Sequence, residues 1–249
     1  MVSLIQAIIL SIIQGITEWF PVSSSGHLVL MQHFFGFQNL AFDVFLHFAS
    51  ILAVLIIFWK DIIEILKQKN WKYIGLIILA IIPVFLFGVL LRDYIVASFN
   101  SFLFLGLFFI FSGIVIFSTK FSRVKKSNIG IVDSLFVGMM QVFALFPGIS
   151  RSGMTISAGL FAGLKKQEVV KFSFLLAIPV ILGASLAEAP QIFSQEISYW
   201  ILFASFIVTF LVSLATIKVL LKIIKSDNFW MFGVYDVLVG AGVLIFNFI

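Results

Sequence analysis

The chain has 249 residues, 62% of them hydrophobic and only 11% charged, and its mean hydropathy is +1.20. Soluble domains carry about a quarter charged residues, so this composition excludes a soluble globular protein and specifies a polytopic membrane protein. Cysteine is absent, which excludes disulfides, thiol nucleophiles and cysteine metal sites, and the net charge of +5 reports membrane orientation rather than nucleic acid binding.

The first 20 residues, MVSLIQAIILSIIQGITEWF, lack a positive n-region and a small-residue cleavage site. They include Glu18, so they read as mature structure and not as a signal peptide. They open an apolar region, residues 4–37, that FPVSSSG (20–26) breaks near its middle. Apolar stretches at 41–59, 73–91 and 101–119 are each long enough to span a bilayer. Residues 130–163 form a second broken region, interrupted by FPGISRSG (146–153). Three more spans follow at 167–188, 199–217 and 229–249. At both breaks proline and glycine end one helix and serine caps the next. Each half is about 15 residues, or about 22 Å of helix, against a hydrocarbon core of about 30 Å. The predicted fold is therefore an all-α integral membrane protein of six transmembrane helices and two re-entrant helical hairpins.

Basic residues fall in four groups: Lys60, Lys67, Lys69 and Lys72; Lys120, Arg123, Lys125 and Lys126; Lys165, Lys166 and Lys171; Lys218, Lys222 and Lys225. Six spans and two hairpins put all four groups, fourteen of the 16 Lys and Arg, on one side. The positive-inside rule then places both termini outside. Ten spans give the same parity, so charge sets orientation and only length argues for re-entrance.

The chain also repeats. A shift of 127 residues aligns Gln14 with Gln141, Ser23 with Ser150, Ser25 with Ser152 and Gly26 with Gly153. Residues 1–126 and 127–249 thus form two repeats within one membrane domain, each a hairpin followed by three spans. Three is odd, so the second repeat is inverted, and the hairpin tips are expected to meet near the midplane. Two half-helix N-termini there make an anion site. Arg151, costly in a membrane without a negative partner, would pair with Glu18 or a phosphate.

Several side chains at the tips have chemical capacity. Glu18 shares a helix face with Gln14. His27 has the capacities of an acid, base, nucleophile or metal ligand. Ser23, Ser24 and Ser25 are more hydroxyls than one cap needs, and a hydroxyl beside a histidine suits a nucleophile. The fork of Arg151 suits a phosphate, with Ser150, Ser152, Gly153 and Thr155 on the same tip and Gly26 on the other. Asp43 and His47 share a face and read as a pair or as the lining of a path. His33 reads as structural or interfacial. Asp133, Glu188 and Asp236 carry no assigned role. GLFAG (159–163) is a close-packing pattern.

QGITEWFPVSSSGHL (14–28) and FPGISRSGMTIS (146–157) closely resemble the two signature motifs of the bacterial undecaprenyl-diphosphatase family, known for bacitracin resistance. The likeness extends through FDVFLHFASILAVLIIF (42–58) and FSFLLAIPVILGAS (172–185), over essentially the whole chain. It implies a hydrolase of the bacterial cytoplasmic membrane that converts undecaprenyl diphosphate to undecaprenyl phosphate for cell-wall synthesis. It also implies a polyprenyl diphosphate substrate among membrane lipids, a site opening to the outer face, a homodimer and a supporting Mg²⁺ or Ca²⁺. The family's first motif falls on Gln14, Glu18, Ser24 and His27, its second on Ser150, Arg151 and Thr155. Glu18, with Gln14 where some members have Glu, is the expected metal position. Asp236 stands where many members have a basic residue. Ser24, with Glu18 or His27 as base, and His27 itself are the two open nucleophiles. A lipid-phosphate transporter with the same anion site is the rival reading, and it does not require the set Ser24, His27 and Glu18.

Overall fold

A computed structural model describes residues 2–193, 197–225 and 228–248. Among these residues the chain is helical, with one isolated β-bridge between Lys126 and Leu164. Helices α1 (Leu4–Thr17) and α2 (Ser24–Phe34) form the first hairpin, followed by α3 (Leu40–Ile57), α4 (Trp59–Lys67), α5 (Trp71–Leu90), α6 (Arg92–Ser98) and α7 (Phe102–Ser118). Helices α8 (Ile131–Phe143) and α9 (Arg151–Phe161) form the second, followed by α10 (Lys166–Phe193), α11 (Tyr199–Lys225) and α12 (Met231–Phe248).

Five helices are long and apolar enough to cross a membrane: Leu40–Ile57, Trp71–Leu90, Phe102–Phe121, Lys166–Ala187 and Tyr199–Lys225. They fall on five of the six expected spans. The sixth falls on α12, whose described apolar part, Met231–Asn247, is shorter. After the first span, where the first group of lysines falls, the chain forms α4. Its Ile62 and Ile65 pack inward while Lys60, Glu64 and Lys67 are exposed, and Asp61 Oδ1 lies 2.5 Å from Lys171 Nζ on α10.

The two hairpins are built alike. Helices α2 and α9 have 11 residues each and begin 127 residues apart. Ser23 Oγ accepts from the Gly26 N–H at the start of α2, and Ser150 Oγ accepts from the Gly153 N–H at the start of α9. Both helices end two residues before a left-handed glycine, Gly36 at φ 72° and Gly163 at φ 80°. The N–H groups of Gly36 and Phe37 donate to His33 and Gln32, and those of Gly163 and Leu164 donate to Leu160 and Gly159. Each end is thus a Schellman motif that needs a residue free to take positive φ. GLFAG therefore divides: Gly159 packs on Val169, while Gly163 stops the helix.

Hairpin and span packing is reciprocal. Helix α1 lies on α11, where Gly15 faces Val212, and α8 lies on α5, where Gly138 faces the Ala80 carbonyl. Helix α3 packs against both α10 and α11 at the centre. The main core gathers Trp19, Ile51, Phe172 and Phe174 there. Helices α7 and α12 make the closest pair: a Cβ on Gly113 would stand 2.6 Å from the Gly233 carbonyl oxygen. The outer faces carry exposed Phe85, Val89, Leu103 and Leu238, as a lipid-facing surface requires.

Candidate active site

The site forms where the two hairpin tips meet. Glu18 caps the C-terminus of α1, and the chain then turns back into α2. Ser23 makes that turn at φ 57°, an uncommon conformation for a residue with a Cβ. Its hydroxyl accepts from the N–H of Gly148 on the opposite tip at 3.1 Å, so it holds the tips together. Ser152 Oγ donates back to the Phe20 carbonyl at 3.3 Å.

Glu18 is buried and saturated with donors. Its Oε1 accepts from Arg151 Nη2 at 2.5 Å. Its Oε2 accepts from Ser24 Oγ at 2.6 Å and from Gln14 Nε2 at 3.1 Å. His47 Nε2 lies 3.2 Å from the same oxygen and 3.4 Å from Ser24 Oγ. The other ring nitrogen, Nδ1, donates to the Asp43 carbonyl at 2.7 Å, a group that only accepts. The guanidinium of Arg151 rests over the Trp19 ring, 5.5 Å from its centroid. Its Nη1 is buried and meets no partner among the described residues. A cavity of about 250 Å³ opens beside this cluster, lined by Glu18, Ser24, Asp43, His47, Ser150 and Arg151 among others. Its lining includes Ser23 and Ser25 from one tip and Ile149 from the other.

The structure thus brings together Glu18, Ser24 and Arg151, with Ser23, Ser25 and Ser150 beside them. It does not bring His27 there. The His27 Nδ1 is 2.8 Å from the Ser23 carbonyl, and its Nε2 is 2.8 Å from the Tyr235 hydroxyl. The ring stacks on Tyr235 and meets Phe109 edge-on. Position 27 lies three residues past Ser24, on the side of α2 that faces α7 and α12. His47 stands in the place expected of His27; the signal was its i, i+4 spacing from Asp43.

Four expected phosphate ligands are also used otherwise. Gly26 and Gly153 are small because Phe109 and Ile116 pack on them. Ser152 is 2% exposed, bonded to Phe20 and near Ser150. Thr155 donates to the Arg151 carbonyl at 2.9 Å and sits 2.6 Å from Ser173 on α10. Gln14 serves as a donor to Glu18, and Gln141 is buried in α8, its amide bonded to none of the described residues. Asp43 is bonded to Gln32. Asp133 caps α8 and pairs with Lys126 at 2.5 Å, His33 packs on Phe102, and the side chain of Glu188 lies outside the described residues. Asp236, left without a role above, is fully buried and accepts from Ser112 Oγ at 2.9 Å. The Ser112 hydroxyl accepts in turn from the Ser150 N–H at 3.2 Å.

A resident divalent cation does not fit this donor set. Among the described residues no three His, Asp or Glu side chains converge as a metal site. Both oxygens of Glu18 already accept from protein donors, and Gln14 turns its nitrogen, not its oxygen, to Glu18.

Residues 7–242 match the family model described as bacitracin resistance protein BacA. The chain is 34% identical to the undecaprenyl-diphosphatase of Methanosphaera stadtmanae over 99% of both chains. It is 37% identical to the undecaprenyl-diphosphatase of Thermosipho africanus, over 93% of this chain and 96% of that one. It is 38% identical to undecaprenyl-diphosphatase 1 of Shouchella clausii, over 98% and 97% respectively.

Proposed function

The chain belongs to the bacitracin resistance protein BacA family, and from that premise we propose that it is an undecaprenyl-diphosphate phosphatase whose nucleophile is Ser24. The observation that carries the mechanism is the 2.6 Å hydrogen bond from Ser24 Oγ to Glu18 Oε2 beside Arg151. A site that only carried a phosphate would need cations, not a hydroxyl seated on a carboxylate. Here the hydroxyl lies within the reach that general-base activation requires.

Arg151 holds the diphosphate. Its free Nη1 donates to the phosphate, and the N-termini of α2 and α9 add their dipoles. Ser24 Oγ attacks the terminal phosphorus as Glu18 takes its proton. The anhydride P–O bond breaks, and undecaprenyl phosphate leaves. Water then attacks the phosphoserine, Ser24 Oγ is displaced and regains a proton, and inorganic phosphate departs. Catalysis rests on positioning and on charge stabilisation at the transferring group. His47 orients the shared Glu18 oxygen. The expected Mg²⁺ or Ca²⁺ would arrive with the diphosphate and offset its charge, without a ligand set of its own among the described residues.

The same reading includes the inverted repeat at 1–126 and 127–249, re-entrant hairpins, a homodimer, location in the cytoplasmic membrane, and a site opening outward. The matched caps of α2 and α9 and the reciprocal packing of α1 on α11 and α8 on α5 support the repeat.

Phosphate release from undecaprenyl diphosphate by the purified protein tests this, together with acid-quench trapping from labelled substrate. Phosphate on Ser24 is expected, with losses of at least about 10²-fold in Ser24→Ala, Glu18→Gln and Arg151→Ala. Label on His27, or full turnover in Ser24→Ala, would reject Ser24 as nucleophile. No release from folded protein would leave lipid-phosphate transport as the better account.

A further inference from the structure

A second cavity lies at the lysine-rich end of the helices, apart from the Glu18–Arg151 site. It measures about 330 Å³, and its lining includes Thr119, Lys120, Leu160, Lys166 and Trp230. Three segments build it: the turn after α7, the junction of α9 and α10, and the start of α12. The floor is apolar, with Leu160, Leu164 and Phe229 all buried. Two of its lining residues are basic, Lys120 and Lys166.

Its rim is a built structure. The N–H groups of Lys125 and Lys126 donate to the Gly163 carbonyl at 2.7 and 3.0 Å, and that of Lys165 donates to Lys126 at 3.2 Å. These bonds fasten the 119–126 segment to the α9–α10 junction. The Lys120 Nζ stands 4.5 Å over the Trp230 ring, which places a cation and an interfacial aromatic together at the mouth.

Its depth follows from α4. That helix has one face packed inward and one charged face, the pattern of a helix lying in the membrane interface. It is tied through Asp61 to Lys171, only five residues along α10 from Lys166, or about 7.5 Å. The cavity therefore opens at headgroup level. Charge at this end is unbalanced. The sequence sets fourteen Lys and Arg there against five acids, Asp61, Glu64, Asp133, Glu168 and Asp227. Of those acids Asp133 and Asp61 are held by Lys126 and Lys171.

We propose that this cavity binds the phosphate headgroup of an anionic phospholipid from the leaflet at the lysine-rich end. Basic pockets between membrane helices on the positive side have the charge and depth for that ligand. The apolar floor and the opening at headgroup level favour a lipid phosphodiester over free phosphate. The site is separate from the catalytic cluster, so the proposal stands or falls independently of the phosphatase assignment.

Native mass spectrometry of the full chain, equilibrated with phosphatidylglycerol and phosphatidylcholine of equal chain length, tests it. The wild type should retain phosphatidylglycerol in preference. In the Lys120→Gln/Lys166→Gln variant that preference should fall by about tenfold, while turnover of undecaprenyl diphosphate in neutral detergent stays within about twofold, which also reports a folded protein. If the double variant does not fold, Ser122→Glu should repel the same lipid by placing a carboxylate on the rim. Equal retention of phosphatidylglycerol in wild type and a folded variant overturns the proposal. So does its displacement by inorganic phosphate alone, which would mark a free-anion site.

Discussion

Glu18 collects Arg151, Ser24, Gln14 and His47 on two oxygens, and this convergence sets what each neighbour can do. Arg151 takes one oxygen, which leaves the other to orient and activate Ser24. His47 reaches that second oxygen from α3 with its ring fixed by the Asp43 carbonyl. A side chain that aims the base without forming the phosphoenzyme should change turnover more than substrate capture. We predict that His47→Ala lowers kcat by roughly 10- to 100-fold with KM little changed, and that His47→Gln, which restores a donor, recovers part of it. His27→Gln should instead lower thermal stability, because it removes a ring bonded to Tyr235 and packed on Phe109. Comparable kcat losses at 27 and 47 with unchanged stability would overturn this division. The sequence made Glu18, Ser24 and Arg151 legible because each is costly in an apolar segment or stands at a helix break. It put His27 in the site where His47 stands, because the choice depends on which face of α2 meets α3, and that is a tertiary fact.

At the scale of the helix, the tips are held by their caps and by α12. Ser23 and Ser150 close the N-termini of α2 and α9, and Gly36 and Gly163 close the other ends. Gly36→Ala and Gly163→Ala each place a Cβ at positive φ and should cost about 1 kcal/mol, read as a lower melting temperature. Gly163→Ala should cost the more, since Lys125 and the Arg123 carbonyl also crowd that position. Equal stability of wild type and Gly163→Ala would show that the junction relaxes freely. Behind the tips, adjacent residues of α12 serve both hairpins: Tyr235 meets His27, and Asp236 holds Ser112, which accepts from the Ser150 N–H. Asp236→Leu should therefore weaken substrate capture through a displaced Arg151, with Asp236→Asn closer to wild type. The breaks at 20–26 and 146–153 revealed the half-helices in the sequence. Helix α4 was hidden because nine residues rich in lysine and acid read as polar connection, and its inward-packed Ile62 and Ile65, with Asp61 paired to Lys171 of α10, explain it.

For the whole molecule, α11 supplies the ruler. Its 27 residues, about 40 Å of helix, run from one end of the fold to the other. At its start Ile201 and Leu202 pack with Val2, Phe35 and Phe37, the two ends of the first hairpin. Its end carries Lys218, Lys222 and Lys225, and the chain then enters Phe229 and Trp230, which line the lysine-rich cavity with Leu164. The second hairpin leaves and returns at that end, where Lys126 and Gly163 are bonded. The two hairpins are thus anchored at opposite ends of α11, the arrangement that the proposed inverted repeat requires, and the lysine groups collect at one of those ends. This gives a sided prediction that the cysteine-free sequence makes simple to test. Single cysteines at Gln38 and Asp93, both exposed at the lysine-poor end, should react with a membrane-impermeant maleimide on intact cells. Cysteines at Lys69 and Arg123, exposed at the other end, should react only after the membrane is opened. The positive-inside rule fixes that direction. Labelling of positions 69 and 123 from outside would invert the molecule, and labelling of position 38 on one side with position 93 on the other would break the odd span count.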